Sequence, residues 1–201
     1  MIALIDYQAG NLTSVKKALA AVGAEVFVPR VPEELANAAA VIVPGVGHFQ
    51  ATRMLDRSWV DAIIGGVGEG RPLLGICLGM QWLYESSAEA PELKGIGLLS
   101  GSCLRLQPNR RDLKVPHVGW NSLTLRTGDT WITDGVPDGS QVYFTHSFVA
   151  PVTGDTIAVT EHGGQFAAVV QRGHVAGVQF HPEKSGEVGL TMLRNFVRLA
   201  G

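Results

Sequence analysis

The five residues Gly75-Ile76-Cys77-Leu78-Gly79 constrain this chain more than any other stretch. They are entered through the apolar run Pro72-Leu73-Leu74 and left through Met80-Gln81-Trp82-Leu83-Tyr84, so a strand is expected to turn abruptly into a helix. The pattern is glycine, any residue, nucleophile, any residue, glycine, with cysteine standing exposed at the bend. A side chain at Gly75 or Gly79 would collide as strand and helix approach, and the cysteine's own backbone is expected to be strained. At a helix N-terminus the sulfur faces unpaired N–H groups and the positive end of the dipole, which favour the thiolate. Burial in a core is the common fate of a lone cysteine, but a core residue has no need of paired glycines at such a junction.

The rest of the chain alternates in a way that suits this elbow. Residues 2–5 form a short apolar run, and Asn11 is placed to cap a helix whose positions Leu12, Val15, Leu19 and Val22 follow helical spacing up to Gly23. Strands are expected at 24–28 and 39–43, and a helix at 54–66 with Trp59, Ile63 and Ile64 on its apolar face. Strand-helix-strand alternation implies an open, mostly parallel twisted sheet with helices on both faces. Beyond the elbow helix the texture turns β-rich, with strands expected at 95–106, 121–126, 141–149, 156–160, 166–171 and 175–180, and additional antiparallel segments. A last helix is expected at 187–199, and the 201 residues read as a single domain, 1–201, of α/β class.

Composition removes several classes of function. A net charge of −2 lacks the basic stripe of a nucleic-acid surface. No apolar run reaches membrane-spanning length and Met-Ile-Ala-Leu-Ile-Asp opens directly as a strand, so a cytoplasmic location with no membrane partner is expected. Cys77 and Cys103 are expected to stay unpaired in a reducing compartment, Cys103 in a packing role. Neither a CxxC nor a His-x-x-x-His pair is present, so no metal site and no cofactor are expected.

A cysteine nucleophile needs a base, and the base an orienting group. His181 stands at the end of the last expected strand, on the same sheet edge as the elbow, and Glu183 follows two residues later. Period-two geometry sends both side chains to one face, where a carboxylate can hold the imidazole in one tautomer. The order Cys77, His181, Glu183 describes an acyl-transfer site. Pro44-Gly45-Val46-Gly47-His48-Phe49-Gln50 lacks the third glycine of a dinucleotide fingerprint. Its place after the third strand suits an oxyanion loop acting with the N–H of Leu78. The remaining histidines, His48, His117, His146, His162 and His174, are read as surface or core residues, and Arg110, Arg111 and Lys114 as a local basic patch.

Gly75-Ile76-Cys77-Leu78-Gly79-Met80-Gln81 together with Gln179-Phe180-His181-Pro182-Glu183 resembles the class I (triad) glutamine amidotransferases across essentially the whole chain. Asp6-Tyr7 with Gly10-Asn11, residues 44–47, Pro116-His117-Val118-Gly119-Trp120-Asn121, Tyr143-Phe144 with His146-Ser147, and Lys184-Ser185 look like the glutaminase subunits of imidazole glycerol phosphate synthase. The resemblance implies that Cys77 attacks the side-chain amide of glutamine, that the backbone of Val46 and Leu78 receives the oxyanion, and that His181, oriented by Glu183, moves the protons. It implies glutamine contacts at Gly45, Gly47, Gln81 and Ser147. It further implies a cyclase partner with a (β/α)8 barrel that takes the ammonia through a tunnel, with Asn11, Trp120, Tyr143 and Lys184 at the interface. Glutaminase activity is then expected to be low until that partner is occupied, with residues 45–47 as the switch. Gln8 departs from the glycine expected in the first loop. The rival readings are a glutaminase subunit of another synthase, making anthranilate or pyridoxal phosphate, a free-standing cysteine hydrolase, and a non-catalytic module keeping the elbow only as architecture.

Overall fold

A computed structural model describes residues 1–109, 113–126 and 130–201. Four short apolar runs, β1 (Ile2–Leu4), β2 (Val26–Phe27), β3 (Ala40–Val43) and β4 (Leu73–Ile76), lie parallel in the order β2-β1-β3-β4. Val175–Val178 joins β4 in parallel on its far side, and Gln165–Arg172, Thr156–Glu161 and Thr124–Leu125 continue the sheet antiparallel. Helices α1 (Leu12–Ala21) and α4 (Gly186–Ala200) pack on one face, α2 (Arg57–Gly68) and α3 (Leu78–Trp82) on the other. Strand alternation divides the core accordingly. Leu4, Ile42 and Ile76 meet Leu19 and Phe196, whereas Ile5, Val43 and Leu73 meet Ile63, Met80 and Trp82.

A separate two-stranded antiparallel ribbon, His117–Ser122 against Gln141–His146, sets His117 opposite His146 and Trp120 opposite Tyr143. A further small sheet joins Phe148–Val149, Ser102–Arg105 and Ser86–Ser87. Among the described residues no helix is long and apolar enough to cross a membrane.

Several boundaries differ from the sequence expectation for local reasons. β2 stops at Phe27, two residues before the first proline. The helix expected to begin at residue 54 begins at Arg57, because the Asp56 carboxylate accepts from the N–H groups of Ser58 and Trp59. Phe49–Met54 is a separate 3-10 segment, and Ile64, assigned to the apolar face, is 41% exposed. Of residues 95–106 only Ser102–Arg105 are extended, since Gly97 and Gly101 turn the chain with φ of +73° and +111°. Residues 121–126 divide between the end of His117–Ser122 and the separate two-residue strand Thr124–Leu125, Gln141–His146 and Phe148–Val149 are separate elements, and the last strand ends at Val178. Gln8 takes the glycine-like φ of +62° that its loop demands, its N–H donating to Asp6 Oδ1 at 3.0 Å. Asn11 caps α1 through Ser14 N–H. Arg110 and Arg111 lie outside the described residues.

The elbow owes its shape to close approach. Cys77 has φ +52° and ψ −105°, a conformation that L residues adopt only under compulsion. A Cβ on Gly75 would lie 2.6 Å from the Gly79 carbonyl oxygen, and one on Gly79 would overlap the Val43 carbonyl oxygen. Gly177, opposite Gly75 in the sheet, would place a Cβ 2.7 Å from Met80 Cγ. Backbone cannot yield at the first two positions, whereas a methionine side chain can at the third. Gly79→Ala is therefore expected to cost about 3 kcal/mol or more and Gly177→Ala about 1 kcal/mol in urea unfolding. Equal losses would show that α3 does not depend on its contact with β3.

Candidate active site

The elbow and the end of the last strand are tied together by main chain. Cys77 N–H donates to Val178 O at 2.8 Å, and His181 N–H to Tyr143 O at 2.9 Å. The Ser185 hydroxyl donates to His181 O at 2.6 Å and accepts from Tyr143 N–H at 3.0 Å, fixing the His181 turn against the ribbon. Residues 182–184 form a 3-10 turn with Pro182 in its first position, so Glu183 reaches His181 by that turn and not by strand alternation. The two side chains still meet: Nδ1 lies 2.8 Å from Glu183 Oε1, with both side chains only 2% exposed.

A carboxylate accepts, so a neutral His181 carries its proton on Nδ1 and presents a bare Nε2. That nitrogen has no protein hydrogen-bond partner among the described residues. The Cys77 sulfur is nevertheless near enough to act on the ring's charge. Burial disfavours the imidazolium, but Cys77 and Glu183 together more than offset it and raise the pKa from 6.5 to about 9. The arrangement suits a thiolate beside an imidazolium, the pair needed to attack an acyl carbon and protonate its leaving group.

A cavity of about 400 Å³ opens beside Cys77, lined among others by Gly47, His48, Gln81, Thr145, Ser147 and Phe148. That is a small-molecule volume. Gln81 and Ser147, from which glutamine contacts are expected, line this cavity, as does Gly47 with φ +98°. Gly45 is packed instead against Tyr7 and Leu78, with no room for a Cβ.

Neither expected oxyanion donor is free. Leu78 N–H donates to Gly45 O at 3.4 Å and Val46 N–H to Ala9 O at 3.4 Å. The loop lies where sequence placed it, but its carbonyl occupies the donor that an oxyanion would need.

The expected interface residues fall into two places. Trp120, 57% exposed, meets Tyr143 edge to face at 6.1 Å, and Lys184 Nζ lies 5.8 Å from the centre of the same ring. Asn11 serves as the helix cap described above.

Sequence reading assigned no role to Gln179, Thr145 or His146, all of which touch the site. Gln179 Nε2 lies 3.6 Å from Cys77 Sγ, and the Cys77 thiol can donate to Thr145 O at 3.9 Å. Gln179 stands two residues before His181, the one signal that could have marked it. His117 and His146, facing each other across the ribbon, are joined Nδ1 to Nε2 at 3.1 Å, and His162 stacks on His117 at 4.1 Å. Burial first, then the neighbouring imidazoles, push His117 down to about 4 and His146 to about 3, so both are neutral near pH 7. Among the described residues no group of three or more His, Cys, Asp or Glu side chains is arranged to hold a metal.

The family described as glutamine amidotransferase class-I matches residues 3–200, and the chain belongs to it. Its relatives narrow the class. The chain is 46% identical over 203 residues to the imidazole glycerol phosphate synthase subunit HisH of Thermosynechococcus vestitus, covering 98% of this chain and 96% of that protein. It is 44% identical over 199 residues to the HisH subunit of Bacillus cytotoxicus, with 98% and 93% covered. A crystal structure of a glutamine amidotransferase shares the fold with a TM-score of 0.78 at 23% identity, each chain covered in full. The structure of PurLQS from Thermotoga maritima does so with a TM-score of 0.76 at 19% identity, covering 98% of this chain and 97% of that one.

The raised His181 pKa carries a linkage with a definite sign. A group bound more tightly to its proton in the folded state stabilises it fully below pH 6.5, and the contribution is lost as pH rises through about 9. In an NMR titration the His181 ring signals should therefore change near pH 9 and move to lower pH in Glu183→Gln, which removes the anion favouring the cation. A midpoint near 6.5 in both proteins would show that neither Glu183 nor Cys77 holds the proton.

Proposed function

We infer that this chain, acting as a single amidotransferase domain, is the glutaminase subunit of an imidazole glycerol phosphate synthase in histidine biosynthesis. The observation that carries the reading is sequence identity of 40–46% along nearly the whole length of proteins bearing that subunit name, together with a buried Cys77, His181, Glu183 site. The likeness of residues 116–121 and of Lys184-Ser185 to that subfamily disfavours a subunit serving another synthase.

The chemistry follows from the geometry. The Cys77 sulfur attacks the side-chain amide carbon of glutamine, bound in the cavity against Gln81 and Ser147. The C–N bond breaks as His181 Nε2 gives its proton to the departing nitrogen, leaving ammonia and a thioester. The now neutral imidazole, kept in one tautomer by Glu183, takes a proton from water as it attacks the thioester. Glutamate leaves and the thiolate is restored.

An oxyanion forms in both halves, and each preorganised N–H is worth on the order of a hundredfold in rate. Release of Leu78 N–H from Gly45 O and of Val46 N–H from Ala9 O would supply two. A loop in which both donors are engaged suits a subunit whose glutaminase is slow until a partner is in place. Ammonia in water is mostly protonated and loses its nucleophilic lone pair, so delivery calls for a cyclase docked on this chain as a heterodimer. The ribbon offers a face for it: Val118 and Trp120, 58% and 57% exposed, project from alternate positions beside Tyr143 and the exposed Lys184.

Glutamate formation should be strongly stimulated when a cyclase subunit of this synthase and its nucleotide ligand are added, and Cys77→Ser should abolish it while leaving the fold and complex intact. Equal turnover with and without the cyclase would identify a free-standing hydrolase instead. Lys184→Ala should weaken binding of the cyclase or its stimulation by about threefold to tenfold, the range for an exposed cation–π and ionic contact. Unchanged affinity and stimulation would leave Lys184 a solvated surface residue.

A further inference from the structure

Gln179 is fully buried, and its main chain is held by N–H donation to Ala168 O at 2.9 Å. Its side chain ends a chain of amides whose polarity is fixed from the other end. The Phe148 carbonyl can only accept, so Gln81 must present its NH2 to it, at 2.9 Å. The same Gln81 nitrogen lies 3.1 Å from Gln179 Oε1, which uses its second hydrogen. Gln179 must then turn its own NH2 to Cys77 Sγ, 3.6 Å away. Reversing either amide would set donor against donor or acceptor against acceptor.

Phe148 O is itself anchored. Asn121 Nδ2, a donor only, lies 3.3 Å from His117 Nε2, so that nitrogen accepts and His117 Nδ1 carries the hydrogen toward His146 Nε2. His146 Nδ1 must then donate to Phe148 O, at 3.1 Å. Both strings of hydrogen bonds converge on one carbonyl, and only one of them continues to the nucleophile.

We propose that Gln179 is a further catalytic residue: its amide donates to the Cys77 sulfur, stabilises the thiolate opposite His181, and holds it in position for attack, with Gln81 and Phe148 O as the positioning groups. The proposal rests on the reading of Cys77 as the nucleophile. A thiolate accepts this hydrogen bond far more strongly than a thiol, so the charged form gains selectively. Gln81 thereby has two tasks on separate atoms. Its nitrogen orients Gln179, and its Oε1 is left for the cavity that the residue lines.

The test uses alkylation of Cys77 by iodoacetamide at pH 7, read by mass spectrometry of its peptide. Cys103 does not compete, being fully buried, with its thiol pKa raised by that burial and by Glu89. Gln179→Met, which keeps the length and removes the donor, should slow alkylation about 10- to 100-fold, the range for one hydrogen bond to a charged group. Raising the pH should restore the rate. In the cyclase complex kcat for glutamine should fall by a similar factor while KM changes by less than about threefold. Gln81→Met, which leaves Gln179 in place but unanchored, should slow alkylation by a smaller factor and carries the test if Gln179→Met does not fold. Unchanged alkylation in the folded variants would overturn the proposal, as would a raised KM with kcat unchanged, which would assign Gln179 to the substrate pocket alone. Failure of the wild-type protein to hydrolyse glutamine in any complex would sink the functional reading separately, since alkylation does not depend on it.

Discussion

Everything at the site depends on how closely α3 approaches the sheet. Gly79 lies against the Val43 carbonyl and Gly75 beneath the Gly79 carbonyl, distances that no side chain permits. This close approach accompanies a Cys77 backbone at φ +52° and ψ −105°, a strain of about 1–3 kcal/mol. The strain is tolerated because the buried faces around it leave the turn no other course. It sets the sulfur 3.6 Å from Gln179 Nε2 and near His181, both of which follow the strand that pairs with β4. A relaxed cysteine would need a wider turn, and a wider turn would carry the sulfur away from both.

The same closeness explains the state of the oxyanion loop. Gly45 is packed so tightly between Tyr7 and Leu78 that its carbonyl reaches the elbow's own amide. A buried N–H left unpaired costs about 1–3 kcal/mol, so Leu78 is better satisfied by Gly45 O than left open. Bonds of 3.4 Å are long for N–H donation, which keeps the exchange for a developing oxyanion inexpensive. In the proposed mechanism, resting stability and oxyanion binding compete for the same two amides.

Sequence made the elbow legible because its signal is steric and local: two glycines around a cysteine leave few alternatives. Residue type and spacing single out Cys77, His181 and Glu183, and the structure brings His181 and Glu183 together, although by the 3-10 turn that Pro182 starts and not by strand alternation. The sheet's parallel half was legible from alternating apolar runs. The start of α2 is set by the Asp56 cap, which apolar periodicity does not register, and the glycines at 97 and 101 turn a stretch whose composition reads as strand. Gln179, His117 and His146 went unassigned for a different reason. Gln179 meets Cys77 across 102 residues of chain, and His117 meets His146 across 29 by pairing in the ribbon, contacts that residue type and local spacing do not record. The Gly45 carbonyl escaped notice because backbone orientation has no residue type.

Strand alternation gives the ribbon two different faces. His117 faces inward with His146, whereas Val118 and Trp120 face out, and the register pairs Trp120 with Tyr143 just as it pairs His117 with His146. Two strands without a sheet on either side have little bending stiffness of their own. The neutral histidines supply what is missing: with burial holding their pKa values near 4 and 3, no proton arriving near pH 7 can reverse the direction of their hydrogen bonds. A charged pair would set N–H against N–H at 3.1 Å and break the bond between the two rings. The buried imidazoles therefore do for the ribbon what paired glycines do for the elbow, restricting a short segment to the one geometry in which its polar groups are all satisfied.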